Sequence, residues 1–169
     1  MVGLLNTKNM KKPLEKIVKR GNDPTGHGYF GAKRGDKLHR GLDLLCEPGT
    51  EIFSMITGDV TKIGYCYSDA PEFRYVEVSN HDHRIRLLYC SPDFVKLGQK
   101  VNEGDKIGES QDIATHWGGG MKNHLHVEVY KNTLLTDPEP IIDLLNIKKN
   151  DNNDLNIDVS VKINGNEIS

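Results

Sequence analysis

Cysteine is scarce in this 169-residue chain. Cys46, Cys66 and Cys90 are odd in number, irregularly spaced and without any Cys-x-x-Cys pair, which excludes a disulfide framework. Two of them end apolar runs, Leu44-Leu45-Cys46 and Leu87-Leu88-Tyr89-Cys90, and read as small buried hydrophobes of a protein made in a reducing compartment. Long apolar runs are missing too. No stretch approaches the ~18 residues of a membrane-spanning helix, and Val2 to Leu5 is too short for the core of a signal peptide. A target outside the cell is therefore expected to be reached by another route, as part of a phage particle or after lysis. An excess of charge of one sign is also absent. With a formal net charge of −2, composition points to neither nucleic acid nor an anionic membrane as partner.

What is present suffices for one domain with short extensions, large enough to bury a core without metal or disulfide staples. Residues 1–24 form a basic arm, with Lys8, Lys11, Lys12, Lys16, Lys19 and Arg20 against Glu15. Pro13 is expected to open a short helix with Leu14, Ile17 and Val18 on one face, the arm being solvated and loosely packed. Residues 25–147 carry the pattern of an antiparallel β meander. Turns at Glu47-Pro48-Gly49-Thr50, Gly58-Asp59 and Asn80 to His83 separate strands over 52–56, 60–63, 75–78 and 84–89, with His81 and His83 as exposed loop residues. Between Val95 and Gly108 a hydrophobe and a glycine recur every six residues, the rhythm of short strands and tight turns.

Residues 109–123 read as a mobile loop whose Trp117 either contacts substrate or closes the edge of the core. A short helix is expected over Ile141 to Leu145. The final unit, 148–169, starts as a Lys/Asn/Asp linker to Asp154 and continues as a strand from Leu155 to Ile163 before the hairpin signal Asn164-Gly165. Residues 150–169 are therefore a candidate element for adding to another subunit's sheet or a larger assembly.

Two stretches carry chemistry. His39-Arg-Gly-Leu-Asp43 lies among Gly35, Gly41, Pro48 and Gly49, which disfavour a helix, so as an extended segment it presents His39, Gly41 and Asp43 on one side. His124-Leu-His126-Val-Glu128-Val alternates as a half-buried strand, with two imidazoles and a carboxylate facing one space. A catalytic zinc takes three protein ligands and keeps a fourth position open. His39, Asp43 and one histidine of the second stretch supply that set.

In this order, His39-x-Gly-x-Asp43, the glycine rhythm of 95–108 and His124-Leu-His126 resemble the lysostaphin/LytM-type zinc endopeptidases over about residues 25–142. Phe30-Gly-Ala-Lys-Arg34 and Pro48-Gly-Thr50 look like the flanking pattern of that family. The resemblance implies a mainly β fold, a compact antiparallel β-sheet or sandwich domain of the LytM (duplicated hybrid motif) type with short terminal helices. It also implies Zn²⁺ held by His39, Asp43 and His126, with His124 as a catalytic, non-ligand histidine. The implied activity is cleavage of peptide bonds in bacterial cell-wall peptidoglycan.

One position departs from the family pattern. Tyr89-Cys90-Ser91 places serine where active members carry a further histidine, and His116 is the candidate to replace it. The leukocyte cell-derived chemotaxin family, which the sequence also resembles at Phe30-Gly-Ala32 and Leu44-Leu-Cys46, lacks that histidine and acts through binding. Three functions are thus weighed: a zinc metalloendopeptidase, a non-catalytic zinc-containing binding domain, and a lipoyl- or biotinyl-carrier domain. The carrier needs a lysine at a hairpin tip, which Met121-Lys122-Asn123 fits badly. Retention of His39, Asp43, His124 and His126 favours the peptidase.

Overall fold

The computed structural model describes residues 7–154. Two small hairpins come first, β1 (Asn22–Asp23) with β2 (Gly26–His27) and β3 (Lys33–Arg34) with β4 (Lys37–Leu38). Then follow β5 (Leu42–Leu45), β6 (Glu51–Phe53), β7 (Gly58–Tyr65), β8 (Arg74–Ser79) and β9 (His83–Leu88). Short strands β10 (Cys90–Ser91), β11 (Lys100–Val101) and β12 (Lys106–Ser110) lead to helix α1 (Ile113–Trp117). The chain closes with β13 (His124–Lys131), β14 (Leu134–Thr136) and helix α2 (Glu139–Asp154). The architecture is the expected one, mainly antiparallel β with few helices.

Seven strands form the main sheet, in the order β11-β7-β8-β9-β13-β14 with β5 also on β13. β9 lies along one edge of β13, and β5 and β14 share the other edge end to end. The alternation of β13 does the work the sequence suggested: Leu125, Val127 and Val129 are fully buried on one face against Leu42, Leu44, Ile85 and Leu87. Burying each such side chain contributes about 1.5–3 kcal/mol. The strand is not half-buried as expected, however. His124, His126, Glu128 and Tyr130 are buried as well, and charged partners lie over part of the polar face, Arg40 and Arg86 against Glu128 and Arg84 against the Tyr130 ring. A second sheet, β10-β12-β6, begins where the chain leaves β9 at Tyr89.

The N-terminal arm departs from expectation. No helix forms over 13–18; the chain bends over residues 13–16, and its backbone at either end pairs with strands. Phe53 N–H donates to the Pro13 carbonyl at 2.9 Å and Leu45 N–H to the Val18 carbonyl at 2.7 Å. Those long-range bonds satisfy the backbone better than one isolated helical turn could. Leu14 is 1% exposed and Arg20 4%, so the arm is not loosely held, although Lys8, Lys11, Glu15 and Lys16 are exposed as expected. Nor is 109–123 an unanchored loop. Asp112 caps α1 by accepting from Thr115 N–H, and the Asn123 side-chain oxygen accepts from Ile113 and Ala114 N–H at 2.9 and 2.8 Å. At the other end α2 extends past Leu145 to Asp154, making helix of the stretch read as a linker. The alternating segment 155–163 lies outside the described residues. His81 is exposed as expected, whereas His83 opens β9 and is half-buried.

Candidate metal centre

The site is built by strand register. β5 and β13 pair so that Asp43 stands directly opposite His126 and Leu45 opposite His124. Side chains of directly opposed residues share a face with Cβ atoms about 5 Å apart, so the ligand pair is made by the hydrogen-bond ladder itself. His39 lies in the break between β4 and β5 rather than on one continuous strand, and is carried in by Gly31 N–H donating to its carbonyl and its own N–H donating to the Ala32 carbonyl. Gly41 is required by close approach. A Cβ at this position would meet the Val127 carbonyl oxygen at 2.3 Å and the His126 Nε2 at 2.7 Å.

Three basic atoms converge: His39 Nε2 and His126 Nδ1 are 3.0 Å apart, and Asp43 Oδ1 is 3.2 Å from the first and 2.9 Å from the second. Each imidazole is turned by an acceptor on its far side. His39 Nδ1–H donates to the Tyr29 carbonyl at 2.8 Å, and His126 Nε2 faces Glu128 Oε1 at 3.7 Å. His124 Nδ1–H donates to the Lys122 carbonyl at 2.7 Å, which leaves its Nε2 lone pair 3.6 Å from Asp43 Oδ1. Lone pairs aimed at one point repel unless a positive charge lies among them. Donors around tetrahedral zinc stand about 3.3 Å apart, given bonds of ~2.0–2.1 Å, so opening by a few tenths of an ångström would accommodate the ion. Two neutral imidazoles and a carboxylate, each imidazole fixed from behind, match the chemistry of that metal.

Without metal, protons and cations answer the same demand. Burial opposes charge on His126, yet its contacts with Asp43 and Glu128 override this and take its pKa up to about 9. Asp43 is held well below the usual carboxylate range: burial opposes ionisation, but hydrogen bonds from His126 and His39 outweigh it. For Glu128, burial is likewise outweighed by His126 and Tyr130, bringing it down to about 2. His124 moves the other way, its pKa lowered chiefly by burial. Arg20, whose side chain is 2% exposed, places Nη2 3.0 Å from Asp43 Oδ2 as an ion pair off the hydrogen-bonding axis, while its Nη1 donates to Asp23 Oδ2. Asp23 also accepts from Lys122 N–H at 3.2 Å, which ties the arm to the entry of β13.

The cleft beside this centre, about 300 Å³, is lined by His39, Asp43, His124 and His126 together with Tyr67 and Tyr89. His116 is not brought into it. That side chain pairs with Glu72 at 3.4 Å and stacks edge-on against Phe73 and Trp117, outside the lining residues. Trp117 packs on Tyr67 at 5.1 Å between ring centroids and so closes the edge of an aromatic cluster. Arg20, Tyr67 and Tyr89 had no signal in the sequence as site residues.

A β domain with a His-x-x-x-Asp and His-x-His centre on paired strands is the class that fold and site define. The family model for Peptidase family M23 matches residues 37–138, and the chain belongs to that family. Among curated relatives it is similar to leukocyte cell-derived chemotaxin-2 of Bos taurus, 28% identical over 117 residues, covering 69% of this chain and 74% of the relative. Among solved structures it is similar to the antimicrobial peptidase lysostaphin from Staphylococcus simulans, with a TM-score of 0.62 and 22% identity over 81% of this chain and 55% of that one. A zinc-containing peptidase from Vibrio cholerae gives a TM-score of 0.56 at 22% identity, over 76% of this chain and 39% of that one. This chain thus spans about half of the lysostaphin chain and less of the Vibrio cholerae one.

Proposed function

We propose that the protein is a zinc metalloendopeptidase that cuts peptide bonds of bacterial cell-wall peptidoglycan, delivered by a phage particle or by lysis. The observation that carries this reading is the convergence of His39, Asp43 and His126 on one point, each imidazole turned there by its own acceptor. These three residues would hold the ion. Bound zinc supplies Lewis acidity, polarising a peptide carbonyl and acidifying water near neutral pH. His124 keeps Nδ1–H on the Lys122 carbonyl and presents Nε2 to the cleft, so it can take a proton there. Its lowered pKa keeps it neutral and able to act as a base at neutral pH.

A second reading, a zinc-containing domain that binds without cutting, is favoured by Ser91 and by the likeness to chemotaxin-2. Incubating the zinc-loaded protein with purified peptidoglycans of several cross-bridge types, and reading new termini by mass spectrometry, separates the two. New amino termini support the peptidase. Failure of both the native protein and Ser91→His to cut, with zinc bound, leaves the binding domain.

A further inference from the structure

The polar face of the main sheet continues past the metal ligands. Two residues beyond His126 on β13 stands Glu128, directly opposite Arg86 of β9, which is itself opposite Glu77 of β8. Two residues further along, Tyr130 stands opposite Arg84. Each such step is about 7 Å along a strand, so a second polar patch begins one step from the metal centre.

Charge in this patch is layered. The side chains of Glu77 and Glu128 are 7% exposed, whereas those of Arg86, Arg84 and Arg40 are 26%, 37% and 59% exposed. The carboxylates lie underneath and the guanidinium groups above them, so the surface offered to solvent is positive. Both carboxylates are also engaged already. Glu77 accepts from Arg86 Nε–H and from the Thr61 hydroxyl at 2.9 Å, and Glu128 accepts from the Tyr130 hydroxyl at 2.6 Å.

The three arginines differ in how far their donors are used. Arg40 donates from Nη2 to the Tyr130 hydroxyl at 2.9 Å and keeps Nε 3.4 Å from Glu128, and Arg86 gives Nε–H to Glu77. The Arg84 side chain makes no hydrogen bond among the described residues. Its Nε stands 3.8 Å from Glu77 without a hydrogen-bond partner, and its guanidinium lies over the Tyr130 ring, 4.0 Å from the centroid. An aromatic ring under a guanidinium holds its plane without consuming an N–H. Arg84 is thus a flat donor fork, fixed in place and unspent, the shape that takes a carboxylate with two parallel hydrogen bonds.

We infer that this patch is a carboxylate-recognition subsite, in which Arg84 and Arg40 are specificity-determining residues for an acidic group of the substrate peptide, about two residues from the scissile bond. That spacing is the one step that separates the patch from the metal ligands, spanned by two residues of a peptide lying extended along β13. The patch carries one cation more than it has carboxylates, which a single carboxylate neutralises. A nucleic acid or other polyanion would need a longer cationic track, without carboxylates beneath it. The subsite deepens the peptidase reading and rests on it for the nature of its ligand, so its test includes binding without turnover.

The probes are acetylated, amidated glycine peptides with one glutamate, or one glutamine, two residues from the central bond on either side. Glycine adds no side-chain contact of its own, so each pair differs by the carboxylate alone. For calorimetry the central bond is replaced by its ketomethylene isostere, which is neutral and cannot be cut; the amide peptides report cleavage. Zinc-loaded native protein is expected to bind the better glutamate peptide at least ~5-fold more tightly than its glutamine partner, and to cut it with a lower KM and a similar kcat. The preference should shrink as sodium chloride is raised from about 0.05 M to about 0.5 M. Arg84→Gln and Arg40→Gln should each keep zinc and lose most of the preference, and Arg84→Lys should restore only part of it, having charge without the fork. Equal binding of glutamate and glutamine peptides by the native protein overturns the subsite, as does a preference that survives in both glutamine variants, or a short DNA duplex that displaces neither peptide pair's difference yet binds through Arg84. If the native protein cuts both peptides equally well, the peptidase reading stands and the subsite falls. If it prefers the glutamate isostere through Arg84 yet cuts nothing, the subsite stands and the peptidase reading falls.

Discussion

Leu125 and His126 are neighbours on one strand, and they belong to different problems. Leu125 faces a core in which it is fully buried; His126 faces Asp43 and Glu128 on the opposite side. The core face is held by contacts that any well-shaped hydrophobe could make, whereas the polar face is held by donors whose orientation is set by named acceptors. One ladder of hydrogen bonds thus serves folding on one side and ligand placement on the other.

The sharpest way to break that comparison is His126→Ala. Zinc affinity should fall by at least ~10³-fold in chelator competition and cleavage should vanish, because two ligands no longer close the site. Leu125→Ala should do the converse. It is expected to cost about 2–5 kcal/mol, read as a lower melting temperature or denaturant midpoint, while the folded fraction still binds close to one zinc per chain. Equal zinc loss in both variants would refute the separation of faces.

Glu128→Gln sharpens it further, since it removes a charge without emptying space. Zinc affinity should drop about 10–100-fold, as for an outer partner of a ligating histidine. A fourth prediction uses protons. In the metal-free protein the His126 pKa is raised from 6.5 to about 9, so its stabilising contribution is complete below about pH 6.5 and lost as pH rises through 9. The melting temperature of metal-free protein should therefore decline over that window, and zinc affinity should rise over it, because the ion needs the unprotonated ring. The smallest effect belongs to His116→Ala. With its ring against Phe73 and outside the cleft, cleavage should change less than ~3-fold.

Much of the centre was legible because residue type and two-residue alternation are local. His39, Asp43, His124 and His126 could be named from spacing, and the structure brings all four to one cleft. The rest depends on partners remote in sequence. Arg20 reads as one more cation of a basic arm; only folding lays it against Asp43. Leu14, Ile17 and Val18 have helical spacing, yet the segment forms no helix, because Phe53 and Leu45 offer its carbonyls strand partners. Tyr89 violates its strand's alternation through one backbone angle, which no periodicity could reveal.

Gly41 gives the pair of motifs a meaning beyond ligand supply. Its missing side chain is the clearance through which the ring of His126 reaches Asp43, a residue that glycine precedes by only two. Anyone transplanting this centre into another β scaffold would have to carry the gap as well as the ligands. Three donors copied onto strands of the right register, with alanine at the middle of His-x-Gly-x-Asp, would leave the second histidine no room to dock.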